Sequence, residues 1–302
     1  MPHQHFLGAA FIGGFSLDGS FPARKRPIWV RRRNGQDVYE TKPHNVAWQL
    51  DLFTIGGVGD LRSVDDHLGM TDARIAAVID SLVEGSLTPR DWISTLVPFV
   101  ATLFVRSPEF GPRFVRRLRQ IYGGTLPIEA WGRRDNTNLA RALEMQRLLS
   151  PVMRAEWTLL LNQSSVPLIA SDLGYTVMTN QASGRWGYAI PLRIDALVAI
   201  LAPPAESPQF HLTDPPKATR IGRVALGADA IRGLNNSIAI ASVDEVYGAT
   251  RPVLQGLEWP SRRMEISDPA AGLIIPAGFN LRQHDQEWLH ALGSISDHWV
   301  EP

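Results

Sequence analysis

The chain has 302 residues, 44% of them hydrophobic and 20% charged, and thirty basic residues balance thirty acidic ones. That supplies enough apolar material for a sizeable core, argues against wholesale disorder, and excludes a partner recognised by global charge, whether nucleic acid or membrane. Cysteine is absent, which excludes disulfides, thiolate metal sites and a cysteine nucleophile and fits a reducing cytoplasm.

Local charge is less even. Residues 1–50 carry seven Lys/Arg against three Asp/Glu, six of the seven in Arg24-Lys25-Arg26 and Arg31-Arg32-Arg33. A second basic group is Arg106, Arg113, Arg116, Arg117 and Arg119. Such groups either meet phosphates or form a solvated face. The stretch Phe6 to Phe15 holds three glycines and no basic residue precedes it, so it does not read as a signal peptide. No window approaches the ~20 apolar residues of a membrane helix. A cytoplasmic protein without a membrane partner is expected.

In chain order, residues 6–15 read as a short helix or a buried strand. Ile28 to Arg33 and Gln36 to Thr41 flank Asn34-Gly35, which predicts a hairpin with a type I′ turn. A helical block spans about 71–150. Thr71 or Asp72 caps a helix carrying Ile75, Val78, Ile79 and Leu82, with Gly85 beyond it. Thr88-Pro89 opens a second helix running through Phe104, which Pro98 should kink. A third starts at Pro108 or Glu109 and runs to Tyr122, where Gly123-Gly124 stops it. A fourth runs from Asn138 to Leu149, ended by Ser150-Pro151.

Beyond Pro151 the pattern turns to strands: Trp157–Leu161, Val166–Ala170, Trp186–Ile190, Ala196–Leu201 and Ile221–Leu226. Pro203 to Pro216 reads as a loop in which Phe210–Leu212 is a candidate strand. Asp229 to Ala241 is a helix with Ile231, Leu234, Ile238 and Ala241 inward. Residues 250–280 are mostly irregular, and Asp285 to Leu292 is a short helix. Segregated elements predict an α+β fold, a single domain over 1–302 with a mixed or antiparallel sheet and a helical insertion at 71–150.

Several residues have the chemistry for a site. His3 and His5 share one side of a strand, a spacing suited to a metal, and His5 alone suits proton transfer; a frayed terminus is the competing reading. Ser171-Asp172 follows an apolar run, where an aspartate acts as a base, orients a histidine, or simply satisfies a turn. No Gly-x-Ser-x-Gly surrounds Ser171. Arg106 ends an apolar helix and either complements its dipole or clamps an anion. Asn235-Asn236 sits inside a helix, where asparagine is a poor helix former. Asp65-Asp66-His67 reads as a surface loop, and His284 and His290 fall on different helix faces. Gly56-Gly57-Val58-Gly59 lacks the context of a phosphate loop. The residues assign no cofactor and leave the metal question open.

Taken together, Gln4-His5-Phe6-Leu7 through Phe15, Trp29 in its hairpin, His44-Asn45-Val46-Ala47, Asp51-Leu52-Phe53-Thr54, Arg106-Ser107-Pro108, Trp157-Thr158-Leu159-Leu160, Ser171-Asp172 and Ile190-Pro191-Leu192 form an ordered series. The series resembles the motifs of a bacterial domain-of-unknown-function family, number 4238, over about residues 3–250. Asn236 and Tyr247 fit that family's terminal helix. Two positions depart from its pattern: the proline after the Gln-His pair is missing, and Leu173-Gly174 follows Asp172 where the family has an Asn/x-Pro turn. The resemblance narrows the residue list and adds little about the reaction.

The leading expectation is an enzyme whose His5, Arg106 and Asp172 meet in one cleft with Asn236 as a fourth member. It would be a hydrolase or transferase at a phosphoryl centre, such as a nuclease-like phosphodiester hydrolase, acting on nucleic acid or a phosphorylated small molecule. The alternative is a non-catalytic module that binds nucleic acid or an acidic protein through its arginines.

Overall fold

The computed structural model describes residues 3–35, 37–50, 52–53, 64–122, 134–179, 186–201 and 221–260. Residues 56–59, 203–216 and 284–292, for which the sequence raises expectations, lie outside them. The arrangement is α+β, with two principal sheets and a short strand pair.

The larger sheet is built on the most apolar segment of the chain. Five strands, β5 (Glu156–Asn162), β7 (Thr176–Thr179), β8 (Trp186–Arg193), β9 (Ala196–Leu201) and β10 (Gly222–Leu226), lie in the order β10-β5-β9-β8-β7. Only β10 against β5 is parallel. Every residue of β9 is buried, which requires cover on both faces. Ala196, Val198 and Ile200 face the main core, while Leu197 and Ala199 pack with Ile231 from a helix on the other side. Pro191 has no N–H to donate, and the β8–β9 register shifts between Pro191 and Arg193, the kind of irregularity where sheets admit proline.

The second sheet joins the two ends of the described chain. Its strands β2 (Ile28–Arg32), β3 (Val38–Thr41), β6 (Ala170–Ser171) and β11 (Glu245–Gly248) run in the order β3-β2-β11-β6, all antiparallel. Ile28, Val30, Ala170 and Tyr247 face the main core, and Val38 and Val246 face a smaller cluster with Ile238 and Leu254. The pair β1 (His3–His5) and β4 (Trp48–Leu50) lies apart.

Helices fill the space between. After the short α1 (Ala9–Ile12) come α2 (Val64–Glu84), α3 (Pro89–Asp91), α4 (Val97–Arg106), α5 (Phe110–Tyr122) and α6 (Arg134–Arg154). The last two are α7 (Ala228–Ala241) and α8 (Arg251–Gln255). Thr88 is the N-cap of α3: its hydroxyl accepts from the Asp91 N–H at 3.1 Å. Between α3 and α4, Trp92–Leu96 forms a π turn in which the Val97 N–H reaches the Trp92 carbonyl. The wider turn accommodates Pro98, which cannot donate a helical bond.

Several expectations are corrected. The hairpin has the expected register, Ile28 opposite Thr41 and Arg31 opposite Val38, but not the type I′ turn. The Arg33 N–H donates to the Asp244 carbonyl at 2.8 Å, facing β11 rather than β3, so it cannot close a two-residue loop. Ala47 is the one non-glycine with positive φ among the described residues, so Asn34 does not adopt the left-handed form that turn needs. Helix α2 begins at Val64, and Asp72 is an interior residue drawn to Arg106 rather than a cap. Pro151 lies inside α6, whose end is held by a bond from Trp157 Nε1 to the Val152 carbonyl at 2.8 Å. Residues 166–169 are not a strand, and Tyr247 lies on β11 rather than on a helix.

Candidate functional site

Strand β1 positions His5 through its backbone. Arg106, 2% exposed at the end of α4, donates from Nη2 to the His5 carbonyl at 2.9 Å. The same guanidinium grips Asp72 of α2 with both arms, Nη1 to Oδ1 at 2.7 Å and Nη2 to Oδ2 at 2.8 Å. A bidentate pair of this kind neutralises the arginine and ties α4, α2 and β1 together. The half-buried His5 ring has its Nε2 3.3 Å from the His44 carbonyl.

Asp172 follows β6 in a tight turn that closes with the Gly174 N–H on the Ser171 carbonyl at 2.9 Å. Gly174 has φ of +79°, a conformation that favours glycine. The carboxylate is 5% exposed and accepts three backbone N–H groups: Val243 on Oδ1 at 2.7 Å, and Asp244 and Glu245 on Oδ2 at 2.6 and 2.9 Å. Those bonds favour the ionised form, but burial outweighs them and pushes the pKa from 3.8 to about 6. The neighbouring Ser171 hydroxyl is buried without a hydrogen-bond partner.

Asp172 stands on the wall of an open hollow of about 280 Å³. Phe6, next to His5, and Pro108, two past Arg106, line it as well, with Ala47, Trp48, Arg32 and Glu245. The chain segments bearing His5, Arg106 and Asp172 therefore do converge. Of the three, only Asp172 lines the hollow, because the Arg106 fork is engaged by Asp72. Asn236 is elsewhere: its Oδ1 accepts the Glu258 N–H at 3.1 Å and ties α7 to the segment after α8. Its neighbour Asn235 is the buried one, with Oδ1 accepting from Ile169 N–H at 3.1 Å and Nδ2 donating to the Pro167 carbonyl at 3.0 Å.

The hollow's other charged groups are Arg32, Asp244 and Glu245. Arg32 Nε donates to Glu245 Oε1 at 3.0 Å, with the arginine side chain 58% exposed and the glutamate 13%. That hydrogen bond raises the Arg32 pKa. Tyr247 donates to Glu245 Oε2 at 2.9 Å, and burial, then the Glu245 charge, holds the phenol well above its usual 10. Ala47 accepts from the Phe6 N–H at 2.9 Å while holding φ of 55°, a conformation that costs an L-residue free energy and that clusters at functional sites.

The basic runs resolve by strand alternation. Arg31 bonds the Leu254 carbonyl at 2.8 Å, and Arg33 the carbonyls of Ser242, Val243 and Pro260, so both serve the chain ends around α7 and α8. Arg32, between them, points the other way, into the hollow. That alternation was the sequence signal that could have singled it out. Among the described residues no three His, Asp or Glu side chains cluster to hold a metal, and no helix is long and apolar enough to cross a membrane. Comparisons of the chain with protein-family models, with curated proteins and with solved structures returned no significant match.

Proposed function

We propose that the chain is a hydrolase or transferase acting on a small phosphorylated molecule in this hollow, with Asp172 as general base and Arg32 holding the anionic group. The observation that carries the reading is the carboxyl of Asp172, at about 6, in the wall of an open hollow beside an arginine. A base poised near neutrality is matched to accepting a proton from water or a hydroxyl. Arg32 supplies the charge that a phosphoryl oxygen needs, and Glu245, braced by Tyr247, positions its guanidinium. The hollow's size, at the low end for small-molecule sites, favours a compact substrate over a nucleic-acid strand.

The test uses p-nitrophenyl phosphate and bis(p-nitrophenyl) phosphate as probes over a pH series. Turnover is expected to rise through about pH 6 and then level, as Asp172 ionises. Asp172→Asn should abolish turnover, and Arg32→Gln should raise KM about tenfold. Absence of turnover by the parent, or turnover unchanged in both variants, refutes the reading.

A further inference from the structure

Helix α6 carries Arg141 into the interior, where it is 3% exposed. Its hydrogen bonds leave from Nη1, to the Val105 carbonyl and to the Ser107 carbonyl at 3.0 Å, closing the C-terminal end of α4. The rings of Phe53 and Phe110 lie 5.4 and 5.0 Å from its Cζ. Nε is buried and has no acceptor among the described residues. Arg106 shares the Phe53 ring at 6.0 Å but has Asp72 as its counterion, whereas no carboxylate of the described residues pairs with Arg141. Arg113 of α5 brings a like charge near it and donates from Nη1 to the Tyr175 hydroxyl at 3.0 Å. Burial, then the like charge of Arg113, pushes the Arg141 pKa down to about 9, so it remains a cation at neutral pH.

A buried cation without a counterion is among the costliest arrangements a fold can keep, and one held beside a second guanidinium calls for a negative partner. Carbonyls already satisfy Nη1, while the Nε–Nη2 edge is one of the two edges of a guanidinium that receive a planar oxyanion bidentately. We propose that this edge of Arg141 binds a small oxyanion, a phosphate or a carboxylate, inside the protein where α4, α5 and α6 meet. The site is separate from the hollow that Asp172 lines and does not depend on the activity proposed for it.

Thermal melts of the full chain, dialysed free of phosphate, test it with inorganic phosphate and with acetate at matched ionic strength. At a hundredfold excess over Kd a bound anion should raise Tm by about 5 °C. The anion that gives the larger saturable rise identifies the source. Placed in the Arg32→Gln background, Arg141→Met should lose the response. Arg141→Lys keeps the charge but not the edge, and its half-saturating concentration should rise at least about tenfold; it decides the matter if the methionine variant does not fold. Arg32→Gln, which removes the anion contact of the hollow, should keep a saturable response, because the Arg141 edge is intact. A parent indifferent to both anions, or an Arg141 variant that responds as the parent does, overturns the proposal.

Discussion

Replacing Asp172 with asparagine should leave the protein at least as stable as the parent near neutral pH, although the carboxylate accepts three backbone N–H groups. The reason is the balance of burial against hydrogen bonding. Moving the pKa from 3.8 to about 6 means the ionised form is worse off in the fold than in water. At about 1.4 kcal/mol per pH unit, the penalty at neutral pH is about 3 kcal/mol. Because the folded pKa is raised, the group's favourable contribution is fully present below about pH 4, falls as pH rises through about 6, and is then lost. Asparagine removes the charge, and its amide leaves one backbone donor without an acceptor, a cost of about 1–3 kcal/mol. Urea denaturation of both proteins from about pH 4 to about pH 7.5 measures the difference. The parent should lose about 2.4 kcal/mol relative to the variant across that range. If the variant instead becomes relatively less stable as pH rises, the three N–H bonds outweigh burial, and the assignment of Asp172 as a base near neutrality fails with it.

Asp72→Asn leaves Arg106 buried without its counterion, and urea denaturation should show a loss of about 3–5 kcal/mol. Asn235→Ala strips partners from the Ile169 N–H and the Pro167 carbonyl and should cost about 3 kcal/mol by the same assay. Asn236→Ala gives up its bond to the Glu258 N–H, so about 1 kcal/mol should go while turnover of the probe esters is unchanged.

What the sequence disclosed follows from how local each signal is. Ala196–Leu201 is a run of six apolar residues ended by its neighbours' chemistry, and it became a strand with those bounds. Thr88 announces a helix by its own side chain, and it caps one. Strands β6 and β11 are two and four residues long and owe their existence to partners far along the chain, so no periodicity marks them. Helical period placed Leu234 on the inner stripe of α7, where it packs partly buried, but did not mark Asn235, which is fully buried because backbone groups at 167 and 169 need its amide. Asp72 and Arg106 each looked like a terminus residue, since a cap and a dipole partner are what local sequence can suggest. Their pairing needs the approach of two helices. Arg32 was hidden inside a basic run, and only the facing of its strand separates it from Arg31 and Arg33.

The pairing of β2 with β11 sets a timetable for biogenesis. Arg32 and Glu245 meet across 213 positions of sequence, so the inner strand of the second sheet emerges from the ribosome with no neighbour on its β11 side. At ordinary rates of translation the wait is about 10–40 s. During that interval the edge of β2 from Trp29 to Arg32 has no partner strand, although Ile28 and Val30 can already pack on the earlier part of the core. A nascent chain halted before residue 245 should therefore expose an adhesive strand edge and attract chaperones, and release of β11 should end that association.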